Sequence, residues 1–127
     1  MTEKKKFELE YTINSSPKIL FHRLSTADGL AEWFADDVLI KGKSFIFIWE
    51  GNEQNAELCY VKENKAVKFK WLDDENKDYY FEFRINIEDL TGDVALIITD
   101  FAEEDEMEDS IELWDTQIKA LKNILGL

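Results

Sequence analysis

Phe7, Leu9, Tyr11 and Ile13 alternate with Glu8, Glu10 and Thr12, the period of a strand with one buried face. The pattern then turns helical. Ser15 and Ser16 precede Pro17, an N-cap followed by proline at the first helical position. Ile19, Leu20 and Leu24 give this short helix an apolar side. Thr26 or Asp28 can cap a second short helix through Leu30, Trp33 and Phe34, which Asp36 and Asp37 end.

A period of two returns from Val38 onward. Val38 to Ile40 and Ser44 to Trp49 flank Lys41-Gly42-Lys43, which reads as a hairpin turn. Ala56 to Lys62 is the next strand, closed by Glu63, Asn64 and Lys65. Val67, Phe69 and Trp71 alternate with Lys68 and Lys70, and a polar loop runs from Asp73 to Asp78. Tyr79, Phe81, Phe83, Ile85 and Ile87 form one face of a long strand, and Thr91-Gly92-Asp93 turns into Val94 to Phe101. These are six strands of an antiparallel meander, following a first strand that stands apart in the sequence.

Met107, Ile111, Trp114, Ile118, Leu121 and Leu125 are spaced by three and four, the stripe of an amphipathic helix. Its start is expected near Asp105, with Asp105 and Glu108 as a capping box. Acidic residues from Glu103 to Asp109 and the late Lys119 and Lys122 suit the helix dipole. The order is strand, two short helices, six strands, long helix. The fold class is α+β, a curved sheet that buries its apolar face against the terminal helix. No repeat or linker divides the chain, so residues 1–127 read as one domain.

The 127 residues carry 28 acidic side chains against 15 Lys and Arg, a formal charge of -13. That balance argues against nucleic acid, which is held by dense Lys and Arg. Lys4, Lys5 and Lys6 are the one basic run, and three lysines hold an anionic membrane by only ~1 kcal/mol each. No apolar run exceeds the five residues of Val94 to Ile98, too few to span a bilayer. The single cysteine, Cys59, has no intramolecular disulfide partner. No charged segment followed by an apolar one opens the chain, so a reducing cytoplasm is the expected location.

Several local motifs, taken in order, resemble the START-like (SRPBCC, helix-grip) superfamily. The branch they resemble is related to the C-terminal domain of the activator of heat-shock protein 90 ATPase. Trp33-Phe34 looks like that branch's Trp-aromatic pair, and Gly42-Lys43-Ser44-Phe45 stands at its Gly-Gly-x-aromatic turn. Val67-Lys68-Phe69-Lys70-Trp71 is similar to its apolar-x-aromatic-x-Trp strand. Trp114-Asp115 with Ile118, Leu121 and Leu125 resembles its Trp-led terminal helix. The resemblance implies a helix-grip fold, with a pocket between sheet and helix for a lipid, polyketide or other small apolar molecule. It also implies an alternative, a protein-interaction module of the co-chaperone type.

Catalytic chemistry is sparse. His22 is the only histidine, on the first short helix, with no readable partner for nucleophilic catalysis. Cys59 lies on a strand and is expected to be buried or half-buried. The loop from Asp73 lacks the Gly and Glu of a calcium loop, since its sixth and twelfth positions are Asp78 and Arg84. The acidic run at the terminal helix reads as a solvated start, or as an attractor of a basic partner or cation. No metal or cofactor site is expected, and no enzyme.

The informative excess is aromatic, with 9 Phe, 4 Tyr and 4 Trp. Trp33, Phe47, Trp49, Tyr60, Phe69, Trp71, Phe81, Phe83, Ile98, Trp114 and Ile118 are the expected ligand-contacting residues. Tyr60, Tyr79, Asp100 and Arg84 are the polar groups considered as anchors, although the parity of Arg84 points it to solvent. Two readings stand side by side: the rings line an apolar pocket, or they pack the interior to crystal-like density.

Overall fold

The computed structural model describes residues 3–73 and 78–127. Its elements are β1 (Lys4–Thr12), α1 (Pro17–Ser25), α2 (Ala27–Leu30), β2 (Asp37–Lys41), β3 (Ser44–Trp49), β4 (Asn52–Lys62), β5 (Ala66–Trp71), β6 (Phe81–Ile87), β7 (Val94–Glu103) and α3 (Met107–Ile124). All seven strands form one antiparallel sheet in the order β1-β7-β6-β5-β4-β3-β2. The strand that stands apart in the sequence pairs with the last one, from Lys4 opposite Glu103 to Thr12 opposite Ala95. The chain therefore crosses from one edge of the sheet to the other through α1 and α2.

Alternation does its expected work. Phe45, Phe47, Phe69, Phe81, Phe83 and Ile98 are buried on one face, where Trp114, Ile118 and Leu121 of α3 cover them. This is the sheet-around-helix arrangement expected from the order of elements. Ser16 caps α1, its Oγ accepting from the Ile19 N–H at 3.1 Å. Thr26, rather than Asp28, caps α2, with Oγ1 accepting from Gly29 N–H at 2.9 Å. α1 and α2 approach so closely that a Cβ on Gly29 would lie 2.3 Å from the His22 carbonyl oxygen.

Three expectations fail locally. α2 ends at Leu30 and continues as turns through Phe34, so Trp33 and Phe34 sit on a loop. The capping box at Asp105 does not form. A 3-10 turn, Glu104–Glu106, precedes α3, and Glu106 at the N-cap has φ -106° and ψ -1° with no side-chain bond. A box needs an extended N-cap, and the tighter turn removes it. Finally, β4 carries a bulge. Leu58 faces Phe69, but Tyr60 faces Lys68, leaving Cys59 as the extra residue. Past such an insertion the faces exchange, so Tyr60 points away from α3 and Cys59 is exposed rather than buried. Among the described residues no helix is long and apolar enough to cross a membrane.

Candidate functional site

Phe34 determines what the interior can hold. Its ring lies 5.1 Å from that of Phe47, 5.3 Å from Trp49, and 5.7 Å from both Phe81 and Trp114. The space between β3, β6 and α3 is thus filled by an aromatic plug delivered from the loop 31–36. Backbone and side-chain bonds hold that loop in place. The Phe34 carbonyl accepts from Trp49 Nε1 at 2.8 Å and from Gln117 Nε2 at 3.0 Å. Asp36 donates its N–H to the Ile48 carbonyl at 2.9 Å, and its Oδ2 accepts from Glu50 N–H at 2.8 Å. Trp33 Nε1 donates to the Arg23 carbonyl at 2.7 Å, while the Arg23 guanidinium pairs with Glu32.

Outside the plug lies an open cleft of about 830 Å³, between the loop 31–36, the ends of the strands and α3. Trp33, Trp49, Trp71 and Trp114 all line it, and these are all the tryptophans of the chain. Its polar lining is Gln54, Ser110 and Gln117, with the carboxylates of Glu32, Asp36 and Asp100. Glu32 and Asp36 are exposed at the rim, whereas Asp100 on β7 is partly buried. Asp100 Oδ1 accepts from Phe101 N–H at 2.8 Å, and Oδ2 accepts from Trp114 Nε1 at 2.9 Å. Burial raises this carboxyl above its ordinary value, opposed by those two hydrogen bonds and by the charge of Lys4. At the back of α3, Tyr11 donates its hydroxyl to Asp115 Oδ1 at 2.6 Å, joining β1 to the helix. Burial raises the Tyr11 phenol, and the hydrogen bond and charge of Asp115 raise it further.

The eleven residues expected at the site separate into three sets. The four tryptophans converge on the cleft. Phe47, Phe69, Phe81, Phe83, Ile98 and Ile118 lie behind them in the closed core, each at most 1% exposed. Tyr60, 48% exposed, belongs to neither because of the bulge. Of the considered anchors only Asp100 reaches the cleft. The Tyr79 hydroxyl accepts from Lys4 N–H at 2.9 Å, away from the cleft lining, and Arg84 lies on the outer face 3.3 Å from Glu82. Phe34, Gln54 and Gln117 are cleft residues that periodicity does not single out. A Trp-Phe pair directly after a short helix was the available signal for Phe34.

Other candidate chemistry remains dispersed. His22 is exposed, and the Cys59 thiol donates weakly to the Glu57 carbonyl at 3.6 Å. Glu103, Asp105 and Glu106 bring carboxylate oxygens within 4.8 Å of one another at the surface. Residues 74–77 of the acidic loop lie outside the described residues.

A family model described as a START-like superfamily domain matches residues 1–127. The chain belongs to the START-like superfamily. Among solved structures, it is 41% identical to the Bacteroides fragilis protein BfR322, studied by solution NMR, with a TM-score of 0.69 over 98% of this chain and 93% of that one. The START-like fold is shared with the Aha1 dimer of Colwellia psychrerythraea, at 20% identity and a TM-score of 0.78, covering 94% of each chain. It is shared again with protein MLL2253 of Mesorhizobium loti, at 16% identity and a TM-score of 0.78 over 96% of this chain and 97% of that one. Comparison with curated proteins gave no match.

Proposed function

We propose that this START-like domain binds a small apolar ligand in the cleft between the loop 31–36, the strand ends and α3. One observation carries the reading: all four tryptophans line a single open cleft, while the volume behind them is closed by Phe34. Large apolar side chains with a few polar groups are how proteins hold such ligands. Domains of this superfamily are in general binding domains rather than enzymes. The ligand then rests against the plug at the mouth of the fold instead of lying inside the sheet.

Nile red, a neutral dye that brightens in apolar surroundings, tests this. Saturable binding of one equivalent is expected, weakened in Trp71→Ala while circular dichroism stays unchanged. Binding that is unsaturable, or indifferent to Trp71→Ala in a folded variant, would overturn the reading.

A second reading, an interaction module, is favoured by β2. Its outer edge carries no strand among the described residues, and Leu39 and Ile40 on it are 47% and 49% exposed. Such an edge can pair with another chain, and the Colwellia Aha1 structure with this fold is that of a dimer. Sedimentation across a range of concentrations decides it: a dimer disrupted by Ile40→Lys supports pairing at β2, and a monomer throughout removes it.

A further inference from the structure

The charge of the cleft narrows the class of ligand. Among its described lining residues there are three carboxylates and no Lys, Arg or His. Glu32 is paired with Arg23, which stands outside the lining. Asp36 and Asp100 carry no such ion-pair partner within the lining. An anion entering this space would face like charges, screened by water at the exposed Glu32 and Asp36 but less so at the partly buried Asp100. A fatty-acid carboxylate or a phosphate head is therefore a poor fit, although either would satisfy the apolar walls.

The walls also favour positive charge. Trp49 stacks on Phe47 with centroids 5.8 Å apart, and Trp71 stacks on Phe81 at 4.9 Å. Trp49 also meets Phe34 at 5.3 Å and Trp71 at 6.1 Å, and Trp71 meets Phe47 at 5.6 Å, yet both indoles are only half-buried, which leaves part of each ring open to the cleft it lines. Indole faces attract cations through the ring quadrupole. Asp100 supplies the complementary anion. It lies on β7 and Trp71 on β5, with β6 between them and Trp71 two residues along from the row of Phe69, Phe81 and Asp100, a separation of about 12 Å at ordinary strand spacing and rise. The chain as a whole, at -13, raises the local concentration of cations.

We infer that the cleft selects an organic cation, an apolar or aromatic body bearing an amine, with its ammonium at Asp100 and its body against Trp49 and Trp71. The inference rests on the cleft being the binding site. An ammonium beside Asp100 would supply a counter-charge inside the cleft, whose described lining has none, and burial keeps the carboxyl raised even against the charge of Lys4.

Three probes with closely matched bodies separate the possibilities: phenethylamine, phenethyl alcohol and hydrocinnamate. Binding is followed on the full chain through the indole N–H signals of its four tryptophans. The amine is expected to bind about tenfold tighter than the alcohol, the scale of a charge-assisted hydrogen bond, and hydrocinnamate weakest. The Trp114 signal should move most with the amine, because its N–H is bonded to Asp100. In Asp100→Asn the gap between amine and alcohol should close. Equal or tighter binding of the alcohol or the anion overturns the inference and leaves an apolar site. A Trp114 signal unmoved by the amine, or a folded Asp100→Asn that keeps the gap, overturns the placement at Asp100. If none of the three moves any indole signal, the cleft itself is not the site.

Discussion

Phe34 lies nearly parallel to Trp114, with ring centroids 5.7 Å apart and planes inclined by 19°. One ring comes from a loop and the other from the terminal helix, so their contact closes the space that the curved sheet would otherwise leave between them. It converts an enclosed cavity into a plugged core with a cleft outside it.

Phe34→Ala should accordingly cost stability on the scale of a buried Phe truncation, about 3–5 kcal/mol. Urea unfolding measures this directly. A loss below about 1 kcal/mol would mean that neighbouring rings collapse into the vacated space, and the plug would not be what holds the mouth of the fold.

Gly29→Ala should destabilise by about 1–3 kcal/mol, as overpacking does, because the added carbon meets the backbone of α1 at His22 and Arg23 and also the capping Thr26 Oγ1. The loop carrying Trp33 and Phe34 follows directly, so the Trp33 indole signal should shift with the stability. Unchanged stability would show that the two helices have room to separate.

Asp100 makes folding depend on pH. Its carboxyl is raised from 3.8 by burial, so the folded chain holds this proton more tightly than the unfolded one. The associated stability is fully present below that ordinary value and is lost as pH rises through the raised one. Asp100→Asn cannot ionise. Relative to wild type it should therefore be more favourable at about pH 7 than at about pH 4. Urea unfolding of both proteins at the two values checks this, and an equal difference at each would show that the carboxyl titrates normally.

Cys59 is exposed, and iodoacetamide should alkylate it in the folded protein at a rate close to that of a small free thiol. Reaction only in denaturant would place Cys59 back inside the sheet and remove the bulge at that point of β4.

Periodicity was enough for most of the architecture because each strand buries one face. Phe81, Phe83 and Ile85 could be assigned inward from alternation with Glu82, Arg84 and Asn86 alone, and they are buried. The same rule failed at Tyr60. Ala56, Leu58 and Tyr60 alternate without a flaw in the sequence, but the bulge is a backbone event that leaves no mark on side-chain order. Asp105 and Glu108 have the spacing of a capping box, yet a 3-10 turn decides the local backbone first. The cleft was hardest to read. Its shape depends on the Phe34 carbonyl, held by Trp49 and Gln117 from 15 and 83 residues away. No local pattern encodes bonds of that separation. The tryptophans were legible as apolar residues, but their gathering at the rim, apart from the phenylalanines behind, is a tertiary fact.

That gathering gives the molecule a reporter of its own. Every tryptophan of the chain borders the cleft, so indole emission excited apart from tyrosine comes with no background from any other region. A molecule settling into the cleft should change the colour or brightness of nearly the whole signal, and label-free fluorescence becomes a direct gauge of occupancy.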